Sequence, residues 1–183
     1  MKKMGFIFLL ILPMFSYAES VRLFSVFAIH QDDRAGTRIG YTRIDNGRYI
    51  TTLRYSNFSE DDSHISAYDL GLNYVFQSVY TGSFYAGIGI AHSRVFIREN
   101  IGASHNSRKF VKASNQNDFS RLGYSKLSGV GIDYDYSLFT VDGKTTVGAL
   151  WRGAINNSNY GWLLDVTSNS DVDTVSAGIS VIF

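Results

Sequence analysis

The sequence predicts an all-β fold, an eight-stranded antiparallel transmembrane β-barrel. Three observations point to it. The last residues alternate: Phe183, Val181, Ile179, Ala177 and Val175 are apolar, while Ser180, Gly178, Ser176 and Thr174 between them are small or hydroxylated, with Ile182 the exception. A period of two gives a strand with one greasy and one polar face. Second, beyond the N-terminal segment no apolar block approaches the ~20 residues of a spanning helix, whereas a spanning strand needs only ~9–11 and shows alternation instead. Third, the chain carries 12 Tyr and 13 Phe, and its one Pro is Pro13. Aromatic side chains favour strands and membrane interfaces, and the lack of proline suits long uninterrupted ladders.

The first 18 residues read as a signal peptide. Lys2 and Lys3 precede an apolar core, Gly5 to Leu12, broken by Pro13, and Ser16-Tyr17-Ala18 offers small residues at a cleavage site. Residues 19–183 then form one domain. Removing two lysines takes the formal charge from +1 to −1, which gives no global case for nucleic acid. The absence of cysteine excludes disulfide stapling in an exported chain.

Eight strands follow in order. The first two are Val21–His30 and Thr37–Ile44, and Asp45-Asn46-Gly47 is a tight-hairpin signal because Asn-Gly accepts positive φ. Arg48–Asn57, Ile65–Phe76 and Ser83–Ile97 come next, then Arg121–Tyr136, Lys144–Ile155 and a last strand ending at Phe183. Short connections at Asp45–Gly47, Gln77–Gly82 and Ser137–Gly143 should face the periplasm. Gln31–Gly36, Phe58–His64, Arg98–Ser120 and Asn156–Asp171 should face outside. Tyr160–Val166 also alternates, but a ninth strand would leave the chain ends on opposite sides, so it is assigned to the last outer loop.

Alternation also sorts the interior. Tyr68, Leu70, Leu72, Tyr74 and Phe76 should face lipid, with Ala67, Asp69, Gly71 and Asn73 inside. On the sixth strand Tyr124, Val130, Ile132, Tyr134 and Tyr136 should point out, and Gly123, Gly129, Gly131, Asp133 and Asp135 in. Arg54 and Arg152, with Arg22 and Arg38, should join them. Arg cannot shed its charge and a bare carboxylate in a closed lumen is costly, so Arg54, Asp69, Asp133, Asp135 and Arg152 are expected to form a polar network in a plugged interior.

Phe84-Tyr-Ala-Gly-Ile-Gly-Ile-Ala91, Tyr124-Ser-Lys-Leu-Ser-Gly-Val-Gly-Ile-Asp-Tyr134, Thr146-Val-Gly-Ala-Leu-Trp-Arg152 and the Phe-terminated last strand resemble the opacity-type and attachment-invasion-type small outer-membrane barrels. The resemblance implies an outer-membrane location, and loops that bind host glycan or protein receptors, resist serum or support the envelope. It also implies recognition of Phe183 by the barrel-assembly machinery, and contact with outer-membrane lipid and lipopolysaccharide. It transfers no binding residue.

Catalysis is not expected. His92 and Ser93 are adjacent on a strand, so their side chains diverge. Phe58-Ser-Glu-Asp-Asp-Ser63, in a loop that offers Asp61, Asp62, Ser63 and His64 with His30 nearby, is faintly similar to a lipid A palmitoyltransferase, but the amphipathic helix and gating prolines of that family are missing. A lipid A-modifying enzyme and a narrow channel or envelope-structural barrel stand as alternatives. Glu60, Asp61 and Asp62 read as a solvated acidic loop, with no metal and no cofactor. The long segment Arg98–Ser120 is the best binding candidate: Arg98, Arg108, Lys109 and Lys112 outnumber Glu99 and Asp118, which suits an anionic glycan, lipopolysaccharide phosphate or receptor. Tyr160 and Trp162 add aromatic anchors in the last loop.

Overall fold

The structure is a computed structural model that describes residues 20–60, 63–100, 108–128, 131–141, 143–156 and 158–183. The proposed signal peptide lies outside them. The described residues form ten antiparallel strands: β1 Ser20–Gln31, β2 Arg34–Asp45, β3 Tyr49–Glu60, β4 Ser63–Val79, β5 Gly82–Asn100, β6 Arg108–Ser128, β7 Gly131–Val141, β8 Lys144–Ala154, β9 Tyr160–Ser168 and β10 Asp173–Ile182. Each pairs with its sequence neighbours, and β1 pairs with β10 from Leu23↔Ile182 to Gln31↔Thr174, so the sheet closes into a barrel.

The expected count of eight is therefore corrected to ten. The single strand expected over Arg121–Tyr136 is two, because the chain reverses between Ser128 and Gly131, where Ser128 pairs with Gly131. Small residues flanking a tight reversal leave the alternation visually unbroken. The Tyr160–Val166 segment is a full strand, β9, paired with β8 and β10. Two added strands keep both ends of the ladder at one end of the barrel, which removes the objection to a ninth. The Ser137–Gly143 turn consequently moves to the end opposite Asp45–Gly47. At that hairpin both Asn46 and Gly47 have positive φ, 51° and 63°, as the Asn-Gly signal requires.

The outward face is apolar all the way round. Every strand contributes a large exposed hydrophobic residue: Val26, Ile39, Tyr55, Leu72, Ile88, Leu122, Leu138, Val147, Leu164 and Ile179. Ile88 and Ile179 are 70% and 62% exposed. A soluble protein does not leave so continuous a belt in water. At the end where β1 begins and β10 finishes, here the terminal end, the belt gives way to paired rings: Tyr49–Tyr74, Phe84–Tyr124, Tyr134–Tyr136 and Tyr136–Trp151, with centroids 4.8–6.0 Å apart. Trp151 Nε1 donates to the Tyr136 hydroxyl at 3.1 Å, and the Tyr134 hydroxyl donates to the Thr81 carbonyl at 2.6 Å. Amphipathic rings satisfied in this way mark a membrane–water interface.

The opposite rim is lopsided. β4, β5 and β6 run for 17, 19 and 21 residues, against 9–12 for the other strands. The β5–β6 ladder continues to Asn100↔Arg108, whereas β7 leaves β6 at Val141↔Phe119. Residues Arg108 to Asp118 of β6 thus have a strand neighbour on one side only. At ~3.3 Å per residue β6 runs roughly 35 Å along the strand beyond its last pairing with β7, while on the other side the β3–β4 hairpin climbs with β5 to Ser63↔Ile97, three residues short of Asn100.

Candidate functional site

Two places carry chemistry: the lumen and the tall side of the rim. Inside, two apolar clusters and a set of ion pairs share the lumen. Ile44, Ile50, Val75, Tyr85 and Ile132 form an apolar cluster toward the terminal end. Phe27, Ile29, Phe58 and Leu163 form another toward the rim. Beside them lie three ion pairs, with the Arg38 guanidinium 6.0 Å from the centre of the Phe27 ring. Arg38 Nη1 donates to Asp165 Oδ2 at 2.6 Å, Arg54 Nε to Asp69 Oδ1 at 2.9 Å, and Arg121 Nη2 to Asp135 Oδ2 at 2.6 Å. Arg38 Nε also donates to Ser56 Oγ, and the Tyr85 hydroxyl donates to Asp135 Oδ1 at 2.7 Å. The charges cancel one for one, as a low-dielectric interior demands.

Aromatic side chains pack over the lumen wall among the described residues. The ring of Tyr85 lies where a side chain on Gly123 would stand, and Phe119 does the same over Gly89, each 2.2–2.3 Å from the position of an added Cβ. Backbones of β1 and β7 come within 8 Å across the lumen. The lumen holds a cavity of about 70 Å³ bounded by Arg38, Arg54, Asn73, Tyr85, Arg121 and Asp165 among others. Two neighbours of about 30 and 80 Å³ share Arg54 and Arg121 with it. These are spaces for a few waters.

The expected polar network is redrawn by these distances. Arg54, Asp69 and Asp135 are in it. Asp133 stands apart from the three pairs: it occupies the extra position of a bulge, between the pairs Lys126↔Tyr134 and Leu127↔Ile132, meets Lys126 at 3.9 Å and acts electrostatically on Arg152. The same bulge turns Ile132 inward, against the expected outward facing. Arg152 is buried, but its Nε donates to Ser180 Oγ at 3.1 Å. Arg22 pairs with Arg43 and shares the parity of the outward Phe24, so it does not point into the lumen. Arg38, Arg121 and Asp165 complete the network. Arg121 has the inward parity of Gly123 and was legible by extending the alternation one step. Asp165 was hidden by assigning β9 to a loop.

On the rim, Arg98, Arg108 and Lys109 lie in the extended β5–β6 hairpin, where Arg98 pairs with Phe110, Glu99 with Lys109 and Asn100 with Arg108. Lys112 is exposed, its Nζ 5.7 Å from the centre of the Phe96 ring. The expectation of a structureless Arg98–Ser120 loop is corrected: most of it is strand. Tyr160 and Trp162 are corrected too. They are outward-facing β9 residues beside Val181 and Ile179, at the terminal end and far from the β5–β6 hairpin. Asp61 and Asp62 lie outside the described residues. Ser93 pairs with Ala67, and His92 with Tyr68, on opposite faces. Among the described residues no cluster of three or more His, Cys, Asp or Glu side chains could hold a metal.

A closed antiparallel sheet, an encircling apolar belt, an aromatic girdle and an ion-paired lumen together define a transmembrane β-barrel. Among solved structures the chain is similar to small outer-membrane barrels. Neisserial surface protein A is 13% identical over 90% of this chain and 97% of that one, at a TM-score of 0.44. The KdgM porin, solved with disordered oligogalacturonate, is 14% identical over 87% and 98%, at 0.46. The attachment invasion locus protein Ail of Yersinia pestis is 13% identical over 90% and 97%, at 0.38. No protein-family model and no curated protein matches the sequence. These similarities are weak in both sequence and superposition, and the barrel assignment stands on this chain's own strand register.

Proposed function

We propose that the chain is a bacterial outer-membrane barrel whose tall β5–β6 hairpin meets anionic partners at the cell surface, without a catalytic step. The carrying observation is the hairpin itself. What distinguishes this rim is a paired projection rich in Arg and Lys, held on a barrel scaffold as binding segments usually are. Anionic glycan or an acidic receptor surface fits its charge.

Replacing Arg108, Lys109 and Lys112 with Ser tests this. Cells displaying the parent should bind a heparin-like glycan in a salt-dependent way, and the triple variant should lose most of that binding while its heat-modifiability gel shift is kept. Equal binding by the two proteins removes the hairpin from consideration. Orientation has its own test. An epitope inserted at Asp32–Asp33 should be read on intact cells, and one at Asn46–Gly47 only after the envelope is opened; the reverse pattern overturns the outward placing of the rim.

The proposal includes assembly through Phe183. Its backbone N–H donates to the Arg22 carbonyl at 3.0 Å, the last rung of the closing seam, while its side chain is exposed and free to be read. Deleting Phe183 should lower outer-membrane levels more than it lowers stability. Lipid A mass spectra should be unchanged by the protein, which separates this reading from a lipid-modifying enzyme.

A further inference from the structure

The outward face of the tall hairpin carries a second basic feature, below its tip and directly above the apolar belt. Three neighbouring strands align their outward residues in rungs. Leu70 pairs with Ile90, then Tyr68 with His92, Ser66 with Arg94, and His64 with Phe96. On β6 the matching partners are Asp118, Gln116, Ser114 and Lys112. The surface therefore changes from aliphatic to aromatic to cationic within three rungs, or roughly 20 Å at ~3.3 Å per residue.

The cationic rungs are organised. The rings of Tyr68 and His92 lie 4.9 Å apart. Arg94 Nε donates to His92 Nε2 at 3.2 Å, which fixes one edge of the guanidinium and leaves its Nη donors for another acceptor. His92 Nδ1 is buried without a partner among the described residues. Lys112 lies one rung up on the diagonal from Arg94, and backbone positions ~7–8 Å apart let two long side chains converge on one anion. Among the described side chains neither Arg94 nor Lys112 meets a carboxylate. Asp118 is the one described carboxylate on this outward face, two rungs below Arg94.

We propose that Arg94 and Lys112, with His92 orienting Arg94, form a lateral site for the phosphate headgroup of an outer-leaflet glycolipid, whose acyl chains lie against Leu70, Leu72, Ile88 and Ile90. Guanidinium binds phosphate through paired N–H donors, and ammonium adds a point charge. The proposal rests on the membrane-spanning reading and differs from the tip site: its ligand approaches from the side, within the membrane that holds the barrel. Continuity with the apolar belt favours a lipid over a free anion.

The test is native mass spectrometry of the detergent-purified barrel incubated with lipid A carrying both phosphates, with enzymatically dephosphorylated lipid A, or with inorganic phosphate as competitor. The parent should retain bisphosphorylated lipid A and retain dephosphorylated lipid A at least tenfold less. Replacing both Arg94 and Lys112 with Ser should weaken retention by about 30-fold, two cations at roughly one step of attraction each. Arg94→Lys should keep most of the binding, and His92→Phe, which keeps the ring but not the acceptor, should fall between. Equal retention by parent and double variant overturns the site. So does equal retention of the two lipids, or displacement by inorganic phosphate at the concentration of the lipid itself. Each variant must show the parental heat-modifiability shift; a parent that fails to insert into bilayers overturns the membrane reading instead.

Discussion

Asp165 is 6% exposed and takes the Arg38 guanidinium at 2.6 Å. Removing it leaves a permanent cation in a low-dielectric lumen. Asp165→Ala should therefore cost ~3–5 kcal/mol, and adding Arg38→Met should recover much of that, because a missing pair is cheaper than half of one. Denaturant titration in detergent measures both; a double variant no more stable than Asp165→Ala would contradict the pairing. A different residue-scale effect lies on the rim. Asp171 accepts a hydrogen bond from Lys144 and another from Ser170 Oγ at 3.0 Å. The Lys144 bond first, then Ser170 and the Lys144 charge, hold its carboxyl below the usual carboxylate range. A depressed folded value means the contact is worth most above the ordinary carboxylate range, and is lost as pH falls through the folded value. In an NMR titration Lys144→Met should move the Asp171 carboxyl back toward ordinary behaviour, with the turn made by Asn169 Oδ1 to the amides of Asp171 and Val172 left in place.

At the scale of one strand, β10 shows what sequence makes legible. Its alternation holds at every position but Ile182, and the structure places Val175 and Ile179 outward and Ser176 and Ser180 among the most buried residues. Ile179→Arg should accordingly cost ~2–4 kcal/mol near mid-membrane, measured by folding into vesicles; a cost below that of a change at exposed Ser168 would refute the facing. The strands that escaped prediction failed for opposite reasons. β7 was absorbed into its neighbour because Gly129 and Gly131 kept the period across a reversal. The outer half of β6, Ala113-Ser-Asn-Gln-Asn117, has little β-propensity of its own and is a strand because β5 pairs with it residue by residue. Local signals record local preference, whereas pairing belongs to two segments at once. The lumen was half legible for the same reason. Arg54 and Asp69 stand directly opposite each other on adjacent strands, while Arg38 meets Asp165 across 127 residues, a distance that alternation does not encode.

For the whole molecule, the plug and the closing seam have separate consequences. An ion-paired lumen with water-sized cavities predicts that planar bilayers containing the protein show no porin-like conductance steps; such steps at physiological voltage would refute the plug. The seam between β1 and β10 acts on time rather than on permeation. Its rungs join residues about 140 to 160 positions apart, since Leu23 meets Ile182 and Gln31 meets Thr174, and closing so long a loop carries an entropic cost that no short-range contact offsets beforehand. Without β10 the other nine strands would be an open sheet with two unsatisfied edges, so the pairing of the first strand with the last is what removes both edges at once.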